Sequence, residues 1–143
     1  MLFQRIQGRG NPEQVYAMVY NVAGATITGN YPCVWDVSTP DGVRVSQPAT
    51  ATLSLIVGIA EKDILDSSYG KVQCYGYRSS AFVTNSDAQA IAAGDILIPV
   101  DAAWHMDYSG ASDGKTGLIF AAEAVVTAAT PAATNHKVFI RAL

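Results

Sequence analysis

Charge is scarce in this chain. Of 143 residues, 9 are Lys or Arg and 12 are Asp or Glu, 15% in all, against roughly 25% in an ordinary soluble domain. The basic residues are scattered and the net charge is −3. No cationic stripe exists of the kind that phosphate-dominated nucleic-acid binding requires. Histidine is scarcer still. His105 and His136 are the only two, and although Asp101 and Asp107 flank the first, the spacing assembles no metal-ligand set. Cys33 and Cys74 stand alone and far apart, so the Cys-x-x-Cys arrangement of zinc and redox sites is missing. In a reducing compartment two such cysteines read as buried, free thiols acting as small apolar residues. No apolar run approaches the roughly 20 residues of a membrane span. The start, Met1-Leu2-Phe3-Gln4-Arg5, has no signal-peptide core, which points to synthesis in a cytoplasm.

Catalytic signatures are equally thin. Serines abound, yet no Gly-x-Ser-x-Gly elbow occurs. Gly114-Lys115-Thr116-Gly117 lacks the leading glycine and spacer of a phosphate loop, and reads as a solvent-facing turn. Asp63, Asp66 and Asp95 read as turn caps. The composition therefore predicts no cofactor and no metal. A chain with so little charge has two readings: part of its surface is covered by partners, or its many Ala, Thr, Ser and Gly residues need no charged neighbours.

What the chain does have is β patterning. Cys33 to Val37 and Val43 to Val45 read as strands around Pro40-Asp41-Gly42, a turn in which Pro presets φ and Gly accepts a positive one. Ala51 to Ile59 is a near-continuous apolar run that predicts a strand buried on both faces. Lys71 to Tyr77 alternates, with Val72, Cys74 and Gly76 expected on one face and Gln73, Tyr75 and Tyr77 on the other. Ala81 to Thr84, Asp95 to Val100, Leu118 to Thr127 and Lys137 to Leu143 complete the strand set. The exception is near the start. Asn11-Pro12 suits a helix cap and first turn, and Val15, Met18, Val19 and Val22 share a helical face, so a short helix is expected there. Residues 1–24 read as an N-terminal arm with that helix, and residues 25–143 as one β domain. No internal repeat with a period of roughly 20–50 residues is visible.

The segment from Leu53 to Val100 carries the strongest pattern. Gly58-Ile59-Ala60 ends one strand, Asp66-Ser67-Ser68-Tyr69-Gly70 makes the turn, a second strand follows at once, and Gly94-Asp95 opens a third. This order resembles the small capsid cement (head decoration) proteins of tailed bacteriophages. The resemblance implies a mainly β fold, a small β-barrel or closed β-sandwich with an N-terminal arm. It also implies a non-enzymatic virion protein, made in the host cytoplasm, that binds the major capsid protein on the outer surface of the shell, commonly as a homotrimer. Neither nucleic acid nor membrane is an expected partner.

On that reading Leu2, Phe3, Arg5, Ile6 and Arg9 of the arm are the candidate capsid-binding residues, because they offer apolar anchors and donors on a segment without a core pattern. Tyr75, Tyr77 and Arg78 are candidates for an oligomer interface, where Tyr and Arg are enriched. Tyr69, Tyr75 and Tyr77 could equally form a sugar-stacking platform. A carbohydrate- or receptor-binding module of a phage fibre or tail is therefore the alternative function, and a small hydrolase with a site assembled only in the fold is a third.

Overall fold

A computed structural model of the chain describes residues 3–6, 13–86, 90–109, 118–126 and 132–142. The described residues form ten strands and no helix: β1 (Phe3–Ile6), β2 (Gln14–Asn21), β3 (Pro32–Trp35), β4 (Arg44–Ser46), β5 (Ile56–Ala60), β6 (Tyr69–Val83), β7 (Ile96–Pro99), β8 (Met106–Tyr108), β9 (Ile119–Ala121) and β10 (Thr134–Arg141). The mainly β expectation holds.

The short helix expected near the N-terminus is instead strand β2. Its Ala17, Val19 and Asn21 are buried at alternate positions, a period of two. An antiparallel register with β6 from Val15↔Tyr75 to Tyr20↔Tyr69 fixes it. Helix periodicity among Val15, Met18, Val19 and Val22 was real but weak, and pairing with a long neighbouring strand overrides it. The arm is also more structured than expected. Phe3–Ile6 lies antiparallel on β2, from Phe3↔Ala17 to Ile6↔Gln14. The continuous strand expected from Ala51 begins only at Ile56. Residues 51–54 form a turn, held by the Thr52 hydroxyl, which accepts from the Ala49 N–H and donates to its carbonyl, both at 3.0 Å.

The hydrogen-bonded ladder closes on itself twice. One ring runs β2-β4-β3-β5-β6 and returns to β2; the other runs β6-β10-β9-β7-β8 and returns to β6. β6, at 15 residues, belongs to both. Each ring is closed by one short parallel contact, Tyr20↔Arg44 and Asn21↔Val45 in the first, Val83↔Met106 in the second. Every other link in either ring is antiparallel.

The two rings are the same unit built twice. The pair Pro32↔Ile59 between β3 and β5 matches Ile96↔Phe120 between β7 and β9. Ala60↔Val72 matches Ala121↔Val138, and Trp35↔Val45 matches Pro99↔Met106. The loops agree too. The isolated bridge Ile27↔Ile64 recurs as Ile91↔Val125. Asn30 N–H to Ala60 carbonyl (2.9 Å) recurs as Gly94 N–H to Ala121 carbonyl (2.8 Å), and both donors hold positive φ, 75° and 98°.

Matched positions fill both cores. Val19, Ile27, Cys33, Val45, Ala60, Ile64, Val72 and Cys74 pack the first ring. Ala81, Ile91, Leu97, Met106, Ala121, Val125, Val138 and Ile140 occupy the corresponding places in the second. Each ring is thus its own small hydrophobic core with few open edges, and β6 runs through the seam.

The seam is tight. At Gly58 of β5, an added Cβ would lie 2.0 Å from the Gln73 carbonyl oxygen, and at Gly76 of β6 it would lie 2.0 Å from the Glu13 carbonyl oxygen. Only glycine admits such backbone approaches, and both sit at positive φ. Bulges at Val15/Tyr16 and at His136/Val138 re-aim β6 as it passes from one ring to the other.

Candidate interaction surfaces

The candidate residues separate into three groups. Leu2 and Arg9 lie outside the described residues, as do Asn11-Pro12 and the Gly114–Gly117 turn. Phe3, Arg5 and Ile6 belong to β1, whose backbone is laid along β2.

Tyr75 and Tyr77 are half-buried on β6. The Tyr75 ring meets Phe139 edge-on at 5.7 Å, and the Tyr77 carbonyl accepts from Gln14 Nε2 at 2.9 Å and Gln73 Nε2 at 3.0 Å. Tyr69 is not on a common platform with them. It stands 68% exposed, edge-on to Tyr20 at 5.0 Å.

Arg78 is the clear departure. It is only 9% exposed. Its Nε donates to the Ser80 carbonyl at 2.6 Å, Nη1 to Gln73 Oε1 at 3.3 Å, and Nη2 to Asn30 Oδ1 at 2.7 Å and the Ala60 carbonyl at 2.8 Å. Burial pulls its pKa below the ordinary value, and the fields of Tyr16, Glu61 and Cys33 oppose that. Nη2 also reaches the Glu61 carbonyl at 3.5 Å, and a guanidinium committed to five internal acceptors is not available to a partner. Arg78 ties the loops of the first ring to the strand that both rings share. The alternation expected along β6 fails at the same place: Gln73, expected to face outward, is 1% exposed, because β2 and β5 both pair with it.

Both cysteines are free and buried in the core of the first ring. Burial pushes the Cys33 thiol up to about 12 and the Cys74 thiol up to about 11, so neither is a nucleophile at neutral pH. The histidines are kept apart by the fold. His105 immediately precedes β8, and burial lowers its pKa while Asp107 works against that. On β10, His136 places Nδ1 3.2 Å from Glu123 Oε1 and Nε2 2.8 Å from the Thr134 hydroxyl. Among the described residues no group of three or more His, Cys, Asp or Glu side chains could hold a metal ion.

The most distinctive surface feature is a corner of the first ring that sequence reading passed over. Tyr20, Tyr69, Asp41, Val43 and Arg44 line an open cleft of about 370 Å³. Asp41 Oδ1 accepts from the Val43 and Arg44 N–H groups at 2.9 and 3.0 Å. These bonds come first among the causes that hold its carboxyl below the usual range. Its other oxygen takes Arg44 Nε at 3.1 Å. The guanidinium is thereby held through Nε, with the Arg44 side chain about 40% exposed. Two ordered rings beside an oriented guanidinium is a composition common at binding hot spots. The β signals around Asp41-Gly42 located the turn, but only the ring closure of β2 on β4 and β6 brings Tyr20, Tyr69 and Arg44 together.

Two large aliphatic side chains are displayed at matched places: Leu65, 64% exposed, directly after Ile64, and Val126, 80% exposed, directly after Val125. No protein-family model matches the chain, and no curated protein matches it.

Proposed function

We propose that this chain is a non-enzymatic structural protein of a tailed-phage virion, one that attaches to the outer surface of the assembled capsid and reinforces the shell. The observation that carries the reading is the segment bearing the family resemblance. From Leu53 to Val100 the chain runs through β5, a turn at Asp66-Ser67, β6 and then β7, the strand–turn–strand order on which that resemblance rests.

The duplicated unit supports the reading physically. Two like rings on one chain carry Leu65 and Val126 at equivalent points, so a single molecule offers two similar contacts. A partner built from repeated subunits can engage both, and the second contact forms at the high effective concentration set by the first. Selective binding to the mature lattice stabilises that lattice by mass action. The partners on this reading are the major capsid protein and further copies of the chain, with a homotrimer as the expected assembly.

The test uses shells assembled from the major capsid protein of the virion this chain is proposed to belong to, in unexpanded and expanded forms. Saturable co-sedimentation with expanded shells, regular density on their outer surface by electron microscopy and a higher temperature of shell disruption are the expected results. Absence of binding to either form overturns the proposal.

A second reading, a carbohydrate- or receptor-binding module of a fibre or tail, is favoured by the Tyr20–Tyr69–Arg44 corner, since exposed rings stack on sugars and oriented Asp and Arg groups bond to hydroxyls. Binding to cell-surface glycans combined with failure to decorate shells would favour that reading.

A further inference from the structure

Besides the shared β6, the packing of Ile56 and Ile59 into the second core and the Ala102 N–H to Pro48 carbonyl bond, the rings meet through one asymmetric contact whose two halves each have a counterpart elsewhere in the chain. In the contact itself, the Asn30-Tyr31 turn of the first ring enters a corner of the second. The Phe82 N–H donates to the Asn30 carbonyl at 3.0 Å. The Tyr31 ring stacks on Trp104 at 5.5 Å and meets Phe82 edge-on at 5.2 Å. Matched registers identify the counterpart of each piece. The Asn30-Tyr31 turn corresponds to Gly94-Asp95 of the second ring. The corner made by Phe82, Trp104 and His105 corresponds to Tyr20, Val43 and Arg44 of the first ring.

Among the described residues neither counterpart is used as its twin is. Gly94 is exposed and Asp95 half-exposed. Tyr69 stands in the solvent beside the open cleft at Tyr20 and Arg44. A contact between unlike surfaces of like units is heterologous, and such contacts propagate from one copy to the next.

We infer that the Tyr20–Tyr69–Arg44 corner docks the Gly94-Asp95 turn of a second copy of this chain, giving head-to-tail association. Charge supports the pairing. The turn brings a carboxylate, Asp95, whose Oδ2 is held by the Ala92 N–H at 2.7 Å. The corner presents Arg44, about 40% exposed and held through Nε by Asp41, whose carboxylate shares the corner. A guanidinium edge and a carboxylate match in geometry as well as sign.

The contact between copies differs from the one within the chain in one respect. The Tyr20 N–H already donates to the Val43 carbonyl at 2.9 Å, whereas the matching Phe82 N–H is free to take the Asn30 carbonyl. The external contact therefore rests on side chains, and it forms reversibly with concentration.

This assigns the self-association surface to a different face from Tyr75 and Tyr77, and it stands whether or not the chain decorates a capsid. The test is sedimentation velocity on the whole chain over a wide concentration range, with Arg44→Ala and Asp95→Ala as single variants, each checked for an unchanged melting temperature. The parent should show a weight-average sedimentation coefficient that rises with concentration. Each variant alone should stay monomeric. An equimolar mixture of the two should recover a dimer and nothing larger, since one variant supplies an intact turn and the other an intact corner. A parent that stays monomeric throughout, variants that associate like the parent, or a mixture that behaves like its components each overturns the inference. Failure here with normal shell binding leaves the capsid proposal standing.

Discussion

Replacing Arg78 with Met separates two roles for this residue, a contact at a partner interface and an internal tie. Met keeps much of the aliphatic stem and removes all five N–H donors. Five acceptors then lose a charged partner: the Ser80, Ala60 and Glu61 carbonyls, Gln73 Oε1 and Asn30 Oδ1. The Ala60 carbonyl still receives the Asn30 N–H at 2.9 Å, and the two side-chain amides can turn. The Ser80 carbonyl loses the shortest of the five bonds, and the Gln73 amide is fully buried. Each buried acceptor left dry costs about 1–3 kcal/mol, while the variant no longer has to desolvate a cation. The net expectation is a loss of about 3 kcal/mol. For a chain of this length that lowers Tm by roughly 6–12 °C. Lys at the same position should recover less than half of the loss, because one ammonium cannot span acceptors arranged for a planar fork. Thermal and urea unfolding by circular dichroism read both quantities. If Arg78→Met unfolds within about 0.5 kcal/mol of the parent, in the range of neutral surface changes, the buried tie is refuted and Arg78 returns to the set of interface candidates.

Three further outcomes follow from the same packing. Gly76→Ala must strain a φ of 99° and push a methyl against the Glu13 carbonyl oxygen, so it should destabilise the chain by more than about 2 kcal/mol; a melting curve matching the parent would mean the β2–β6 crossing is looser than described. In native protein at pH 8 neither thiol should react with Ellman's reagent on the minutes scale, since burial raises Cys33 to about 12 and Cys74 to about 11. Two thiols should titrate once the chain is unfolded without reductant, and a count of zero would contradict the free state of both. Glu123 is held below its ordinary 4.5, first by the Lys137 N–H, then by the Lys137 side chain and by His136. Its pKa is depressed by folding, so its contribution is present above pH 4.5 and is lost as pH falls through the lower folded value. Glu123→Gln should melt about 1–2 °C below the parent at pH 6, an exposed pair being weak, and the two curves should converge at acid pH; a gap that widens in acid would reverse the sign of this reasoning.

Much of the strand plan was legible because it is local. The turn at Pro40-Asp41-Gly42 and the strands ending at Trp35 and Pro99 follow from residue types with fixed backbone preferences. Val72 and Cys74 were placed correctly as buried. β2 was misread because its helical and strand patterns overlap over a few residues, and only the partner strand decides between them. Gln73 and Arg78 were misread for a related reason. Alternation assumes a strand with one wet face, whereas β6 is enclosed by two rings and bent by bulges, so polar side chains on its outward positions turn into a seam.

The duplication escaped sequence reading for a different physical reason. What the two units share is a register of backbone bonds and a volume for each core position, not side-chain identity. Cys33 and Leu97, or Val45 and Met106, occupy matched places and differ in size and chemistry. A closed ring tolerates such exchanges if the total volume is kept. Identity survives where geometry is demanding: Ile27 and Ile91 at the bridge, Ala60 and Ala121 where a turn crosses the strand end, and Val72 and Val138 against that same alanine.

Positions that differ between the units are therefore informative. The fold does not require Tyr69, because its twin is Asn135, nor Arg44, because its twin is His105. Residues that one copy of a unit can do without are free to serve something other than folding. That makes the cleft lined by Tyr69 and Arg44, rather than the buried face of β6, the place to test the proposed self-association.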